Sequence, residues 1–347
     1  MLFAAGCADS EERLFYLARS GRAEEISGML KKGMSPDIRD DEGRTPLVWG
    51  TDGGHVEVVR LFLQEGADPN AQDKLGNTAM TSAASSGRAR ILKMLVKAGG
   101  DVERRDMKGR TPLMHAVLRA NTKMVEALLG IGAELESRDN LGRTALVLAV
   151  QQNHHVIIGI LIEYGADISA ADTRGRTSLM HAASRGDRVS VGMRLKGGAD
   201  IDAVDSIGGT ALMNASFSGK RLIVAELLAR GADVGISKQE GGTALIHAVT
   251  SGRLLVAQAL LAAGADVNGA DENGRTPLIH ADLKGNPDIV ALLLSKGAAV
   301  DVRDKFGFTV LTNAILKGHS DIVEMLERHT QAGKQAGVRT YPRKLAG

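Results

Sequence analysis

Apolar and polar positions along the chain form a figure that repeats. One short stretch opens on Thr and places Leu two residues later, with small residues behind it, as in "TPLVWGTDGG" from Thr45. A second stretch carries apolar pairs spaced three to four apart, as in "VVRLFL" from Val58 and "IVALLL" from Ile289. That spacing gathers the apolar residues on one helical face, so each unit is predicted to hold two short helices. Thr before Pro or Ala suits a helix N-cap, where its hydroxyl accepts from an unpaired N–H. Pro46, Pro112 and Pro277 follow at the first helical position, where a missing N–H costs nothing. Gly54, Gly87, Gly186, Gly219, Gly252, Gly285 and Gly318 are expected to end the first helix in a left-handed conformation. After the second helix, Gly-Ala-Asp at Gly66, Gly165, Gly198, Gly231 and Gly264 closes the unit. With a β-like residue (Val102, Ile168, Ile201 or Val267), it is expected to turn the chain toward the next Asp-x-x-Gly.

The register is strict. Gly-x-Thr recurs with Thr at 45, 78, 111, 144, 177, 210, 243, 276 and 309, always 33 residues apart. Leu follows at 47, 113, 146, 179, 212, 245, 278 and 311, with Met80 as the exception. Helices this short are unstable alone, so stacked copies must share one core. The fold expected is all-α, a solenoid of stacked helix-turn-helix units with β-turn tips.

These residues resemble the ankyrin repeat, a 33-residue β-turn and helix pair with the signature Thr-Pro-Leu-His-x-Ala; "GRTPLMHAV" and "GRTPLIHAD" stand close to it. The resemblance covers residues 10–329 and makes ten units. The first lacks the Thr but keeps Leu14, Gly21, Leu30 and Gly33 in register, and reads as an N-terminal cap. The last stops after "DIVEMLERHT" and reads as the other cap. The resemblance implies binding of a protein partner in a groove of β-turn tips and first helices. It also implies that the position four after Thr (His115, His181, His247, His280) ties neighbouring loops by hydrogen bonds. Elsewhere Trp49, Ser82, Leu148, Asn214 and Asn313 fill that position.

Composition narrows the function classes. At 44% hydrophobic but 3% aromatic, the core must be built from Leu, Ile, Val, Ala and Met. A formal charge of +2 gives too little phosphate attraction for a nucleic-acid binder. No apolar run reaches the roughly 20 residues of a membrane span. Cys7 is the single cysteine, so neither an internal disulfide nor a zinc framework can form.

Catalytic chemistry fails on spacing. "DENGRTPLIHA" brings Asp271, Thr276 and His280 close in sequence, yet each has a scaffold role. Asp73, Asp106, Asp139, Asp172, Asp205, Asp271 and Asp304 are turn residues, suited by their local side-chain bonds. Gly219-Lys220 lacks the rest of a phosphate loop, with Asn214 and Arg221 in the wrong places. His154-His155 falls in an inter-helix turn with no third ligand nearby. No Ser, Cys or Lys stands in a nucleophile context. We expect no enzyme, cofactor, metal or small-molecule substrate.

Partner contacts are expected at tip and first-helix positions. Lys108, Arg110, Arg119, Arg143, Arg174, Arg176 and Arg185 form a basic stripe, which equally reads as repeat consensus that solvates the tips. Met107, Leu141, Ile207, Phe217, Phe306 and Phe308 offer apolar anchors, the types that concentrate interface energy. A plain structural spacer would need neither set. One unit departs from the pattern: Gly192 falls inside its second helix and Arg194 replaces Leu, so Arg194 must snorkel or pair.

The two ends leave the register. Residues 1–9 hold "AAGC", which resembles the lipobox of bacterial lipoproteins with Cys7 as the lipidated residue, and the repeat style also points to bacteria. Lipidation would make the array a periplasmic, membrane-tethered scaffold supporting a partner enzyme; without it the expectation is a cytoplasmic protein. Residues 330–347 carry Lys334, Arg339, Arg343 and Lys344 without an acid and are expected to form a disordered basic tail.

Overall fold

A computed structural model describes residues 2–338, with side chains from 10 to 331. Among the described residues there are twenty helices and no strand. The chain divides into two compact units, 1–173 and 174–347. Unit one holds α1 (Leu2–Ser20), α2 (Ala23–Leu30), α3 (Pro46–Gly53), α4 (Val56–Gln64), α5 (Ala79–Ser86), α6 (Ala89–Lys97), α7 (Pro112–Leu118), α8 (Thr122–Gly130), α9 (Ala145–Gln151) and α10 (His155–Glu163). Unit two holds α11 (Ser178–Arg185), α12 (Arg188–Lys196), α13 (Ala211–Phe217), α14 (Arg221–Ala229), α15 (Ala244–Thr250), α16 (Leu254–Ala262), α17 (Pro277–Leu283), α18 (Pro287–Ser295), α19 (Val310–Lys317) and α20 (Ser320–Val338).

In each unit the odd-numbered helices stack on one another in chain order, and the even-numbered helices form a second layer beside them. The periodic apolar residues meet between the layers. Leu47, Met80, Leu113, Leu146, Leu179, Leu212, Leu245 and Leu278 are all buried, as are Val58-Val59 and Ile289-Val290. Each fully buried side chain of this size contributes about 2 kcal/mol. Leu311 is only half-buried: α19 belongs to the last copy, and no further first helix covers it among the described residues.

The helix ends follow the sequence closely. Thr78, Thr111, Thr144, Thr177, Thr210, Thr243, Thr276 and Thr309 accept from the N–H three residues on. Thr45 departs: its hydroxyl is buried and unpartnered. The helix-ending glycines all adopt positive φ, from 61° at Gly285 to 82° at Gly186. Ala120 at φ 55° and Asn153 at φ 59° stand at the same place in their copies. Asn tolerates that region, whereas Ala carries a Cβ penalty there. Val102, Ile168, Ile201 and Val267 lie in tight turns, as expected. The Asp of Gly-Ala-Asp causes this, because its carboxylate takes the N–H two residues on, as Asp167 does from Ser169 at 2.8 Å.

The irregular copy keeps both helices. α12 runs unbroken through Gly192, and Arg194 does not snorkel but is fully buried. Its Nε donates to Ser178 Oγ at 2.8 Å and its Nη1 to the Ser190 carbonyl at 3.2 Å. Ser178 occupies the position after Thr where the other copies carry Pro, Ala or Val, so the hydroxyl answers the guanidinium. Burial lowers the Arg194 pKa to about 10, opposed by nearby Asp187. Cys7 falls within α1, with its side chain outside the described set. Lys334, Arg339, Arg343 and Lys344 lie there too.

Candidate partner-binding surface

All but one of the tips are built around a carboxylate. Asp271 Oδ1 accepts from the amides of Asn273 and Arg275, both at 2.9 Å. Asp40, Asp73, Asp106, Asp139, Asp205 and Asp304 make the same pair of bonds to residues two and four ahead. The turn then needs glycine in the left-handed region, and the next tip presses close. A Cβ on Gly142 would lie 2.6 Å from the Thr173 amide nitrogen.

Successive tips are laced through the backbone. Lys74, Met107, Asn140 and Thr173 donate in turn to the carbonyls of Glu42, Leu75, Lys108 and Leu141 at 2.9–3.0 Å in unit one. Ser206, Gln239, Glu272 and Lys305 do the same in unit two, to Arg174, Ile207, Glu240 and Asn273 at 2.8–3.2 Å. Long polar side chains add a second seam: Arg39 reaches the Gln72 carbonyl at 2.6 Å, Gln72 reaches Arg105 at 2.9 Å, and Arg105 reaches Arg138 at 2.6 Å. Such tips are ordered before any partner arrives.

The residue four after Thr completes the tip from behind. His115 Nε2 lies 3.0 Å from Asp106 Oδ2, His280 Nε2 lies 2.9 Å from Asp271 Oδ2, and Trp49 donates to Asp40 Oδ2 at 2.9 Å. The principal bond of these three is thus to the copy's own tip, while the 3.4 Å contact of His115 Nδ1 to Ser85 and the bond from Ser82 to Asp52 reach back one copy. Burial lowers the pKa of His115 and His280, while Asp106 and Asp271 pull the other way. Burial would raise Asp40, but the Arg44 amide, the Trp49 indole and the Arg44 charge outweigh it and leave it lowered.

The anchors expected from sequence are exposed. Met107 is 68% exposed, and Leu75, which sequence reasoning passed over, is 66% exposed on the neighbouring tip. Leu141 continues the row in unit one. In unit two Ile207 and Phe308 stand out from the tips, Phe306 is 64% exposed with Arg275 5.6 Å from its ring, and Phe217 is 58% exposed. The basic residues are more heterogeneous. Lys108 and Arg119 are exposed and Arg110 is half-buried. Arg143 is engaged by Asp139 at 2.6 Å and Gln151 at 3.1 Å. Arg174, Arg176 and Arg185 each hold an interaction within the protein. The stripe is therefore largely woven into the scaffold, with Lys108 and Arg119 its most open cations.

Two grooves open on the tips. In unit one a space of about 510 Å³ is lined by Arg44, Asp52, Lys74, Leu75, His115 and Arg119, among others. In unit two a smaller one of about 230 Å³ runs between Ile207, Lys238, His247 and His280. Among the described residues no three His, Cys, Asp or Glu side chains converge as metal ligands. No described helix is long and apolar enough to cross a membrane.

A family model for ankyrin repeats in three copies matches residues 4–73, 54–139, 113–205, 179–271 and 264–336. No curated protein matches the chain.

Proposed function

This chain belongs to the ankyrin repeat family, and we propose that it is a non-catalytic scaffold of ten units whose tips and first helices hold a protein partner. Ankyrin repeats generally mediate protein–protein interaction and are generally non-catalytic. The observation that carries the reading is the row of Leu75, Met107 and Leu141, exposed on tips that the backbone has already fixed. Preset tips lose little freedom on binding, so affinity costs less in ordering. Phe217, Phe306 and Phe308 extend the same logic in unit two, and Lys108 and Arg119 supply charge. A structural spacer has no use for apolar side chains held out in water.

A photo-crosslinking residue at position 75, 107 or 306, against a control at Arg60 on α4, tests the reading in cells. One defined protein captured at the tips and absent at Arg60 is expected, with capture lost after alanine replacement at Leu75 and Met107. Equal capture at all sites, or none, contradicts it. The "AAGC" motif supports a membrane-tethered form of the same scaffold, serving a partner enzyme from the periplasmic face. Intact mass after expression with upstream codons checks this: a diacylglycerol on Cys7 supports the tether, and an unmodified Cys7 rejects it.

A further inference from the structure

Among the nine tips that precede a Thr, one lacks the carboxylate. Lys238 occupies the place held by Asp in the other eight. Its turn nevertheless closes as the others do: Gly241 donates to the Lys238 carbonyl at 2.8 Å and Lys238 to the Gly242 carbonyl at 3.1 Å. The preceding tip shares the Gly-Gly ending and shows what is lost. There Asp205 accepts from the Ile207 amide at 3.1 Å and the Gly209 amide at 2.7 Å. The corresponding amides of Glu240 and Gly242 make no hydrogen bond within the described residues. His247, four residues after its Thr, has its Nε2 buried without a partner, although His280 bonds Asp271 in the next copy. A Cβ built on Gly242 would lie 3.4 Å from that Nε2, so the amide and the ring share one small space.

We propose that this tip is a receptor for an acidic side chain, Asp or Glu, of a protein partner, which supplies the carboxylate the chain itself lacks there. The inference rests on the scaffold reading above. The donors are those that the intact tips direct at a planar, two-oxygen acceptor: two amides toward one oxygen and a ring N–H toward the other. Lys238 adds a cation where the other copies place an anion. Its charge, after burial itself, lowers the His247 pKa to about 4, so the ring is neutral at pH 7 and can donate from Nε2. The groove also holds two acids. Asp271 is committed to its own amides and to His280, and Glu240 is exposed. Both disfavour a phosphate dianion more than a single carboxylate. Ile207, exposed on the groove rim, and Phe217, 6.2 Å edge-on to His247, provide apolar flanks that suit a peptide better than a free acid.

The test uses the full chain and the imidazole Cε1–H resonance of His247. Blocked acetyl-Leu-Asp-Phe-amide is titrated against its Asn counterpart and against acetate. The Asp peptide is expected to shift His247 saturably, with the Asn peptide and acetate at least about tenfold weaker, a single step of the affinity scale. Lys238→Asp, which refills the tip from inside, is expected to abolish the response, and Lys238→Ala to weaken it, with the His280 resonance unchanged as evidence of folding. An unmoved His247, equal response to Asn, acetate saturating as tightly as the peptide, or an undiminished response in Lys238→Asp overturns the proposal. Crosslinking at Leu75 and Met107 is independent of this tip, so the scaffold reading and the receptor reading fail separately.

Discussion

The tips at Asp271 and Lys238 are adjacent copies of one design, and they differ in where their hydrogen bonds end. At Asp271 one carboxylate satisfies two amides and a buried imidazole without outside help. At Lys238 the backbone turn is the same, yet those donors have no acceptor among the described residues. Arg194 supplies the contrast that gives this meaning. It too breaks the repeat pattern, but Ser178 changes with it and receives its Nε. A departure answered by a neighbour belongs to the fold; a departure left unanswered at the surface points outward.

Four substitutions or titrations sharpen the comparison. Asp271→Ala removes the acceptor from two amides and from His280, and is expected to cost about 3 kcal/mol in urea unfolding, since bonds to charged groups are worth ~1.5–3 kcal/mol each. Next comes the acid limb. His247 has a folded pKa of about 4, below the ordinary 6.5, so the unfolded chain takes up its proton first. Stability present above pH 6.5 is therefore lost as pH falls toward 4, by roughly 2–3 kcal/mol at ~1.4 kcal/mol per pH unit. His247→Gln should flatten that limb; an unchanged limb would show that His247 does not carry it. Lys238→Asp is expected to gain about 1–2 kcal/mol and to raise the His247 pKa, read by NMR titration. The smallest effect is a control away from the tips: Ala120→Gly relieves a positive φ and should add about 1 kcal/mol.

Much of this was legible in the residues. The two periodicities, Thr at the cap and Gly past the helix end place nearly every helix, because each is a local signal repeated at fixed spacing. Thr45, with an unpartnered hydroxyl, shows that a capping residue can be present without its bond. The turns at Val102 and Ile168 were legible too, in the Asp immediately before each. Leu75 was missed as an anchor although it stands three before its Thr, the same tip position as Leu141, so the register alone could have named it. The Arg stripe looked uniform in sequence, whereas pairing is a three-dimensional property: Arg143 is bound and Lys108 is open. Lys238 was visible all along as the broken Asp-x-x-Gly. Its consequence was not, since an unsatisfied amide leaves no mark on the chain's letters.

Amide hydrogen exchange in the free protein tests the central claim most directly, because it reads the four amides that the comparison concerns. The account expects Asn273 and Arg275, held by Asp271, to exchange slowly, and Glu240 and Gly242 to exchange faster by at least about tenfold under the same conditions, with Lys238→Asp slowing both. Equal protection of the two pairs in the unmodified chain would contradict it.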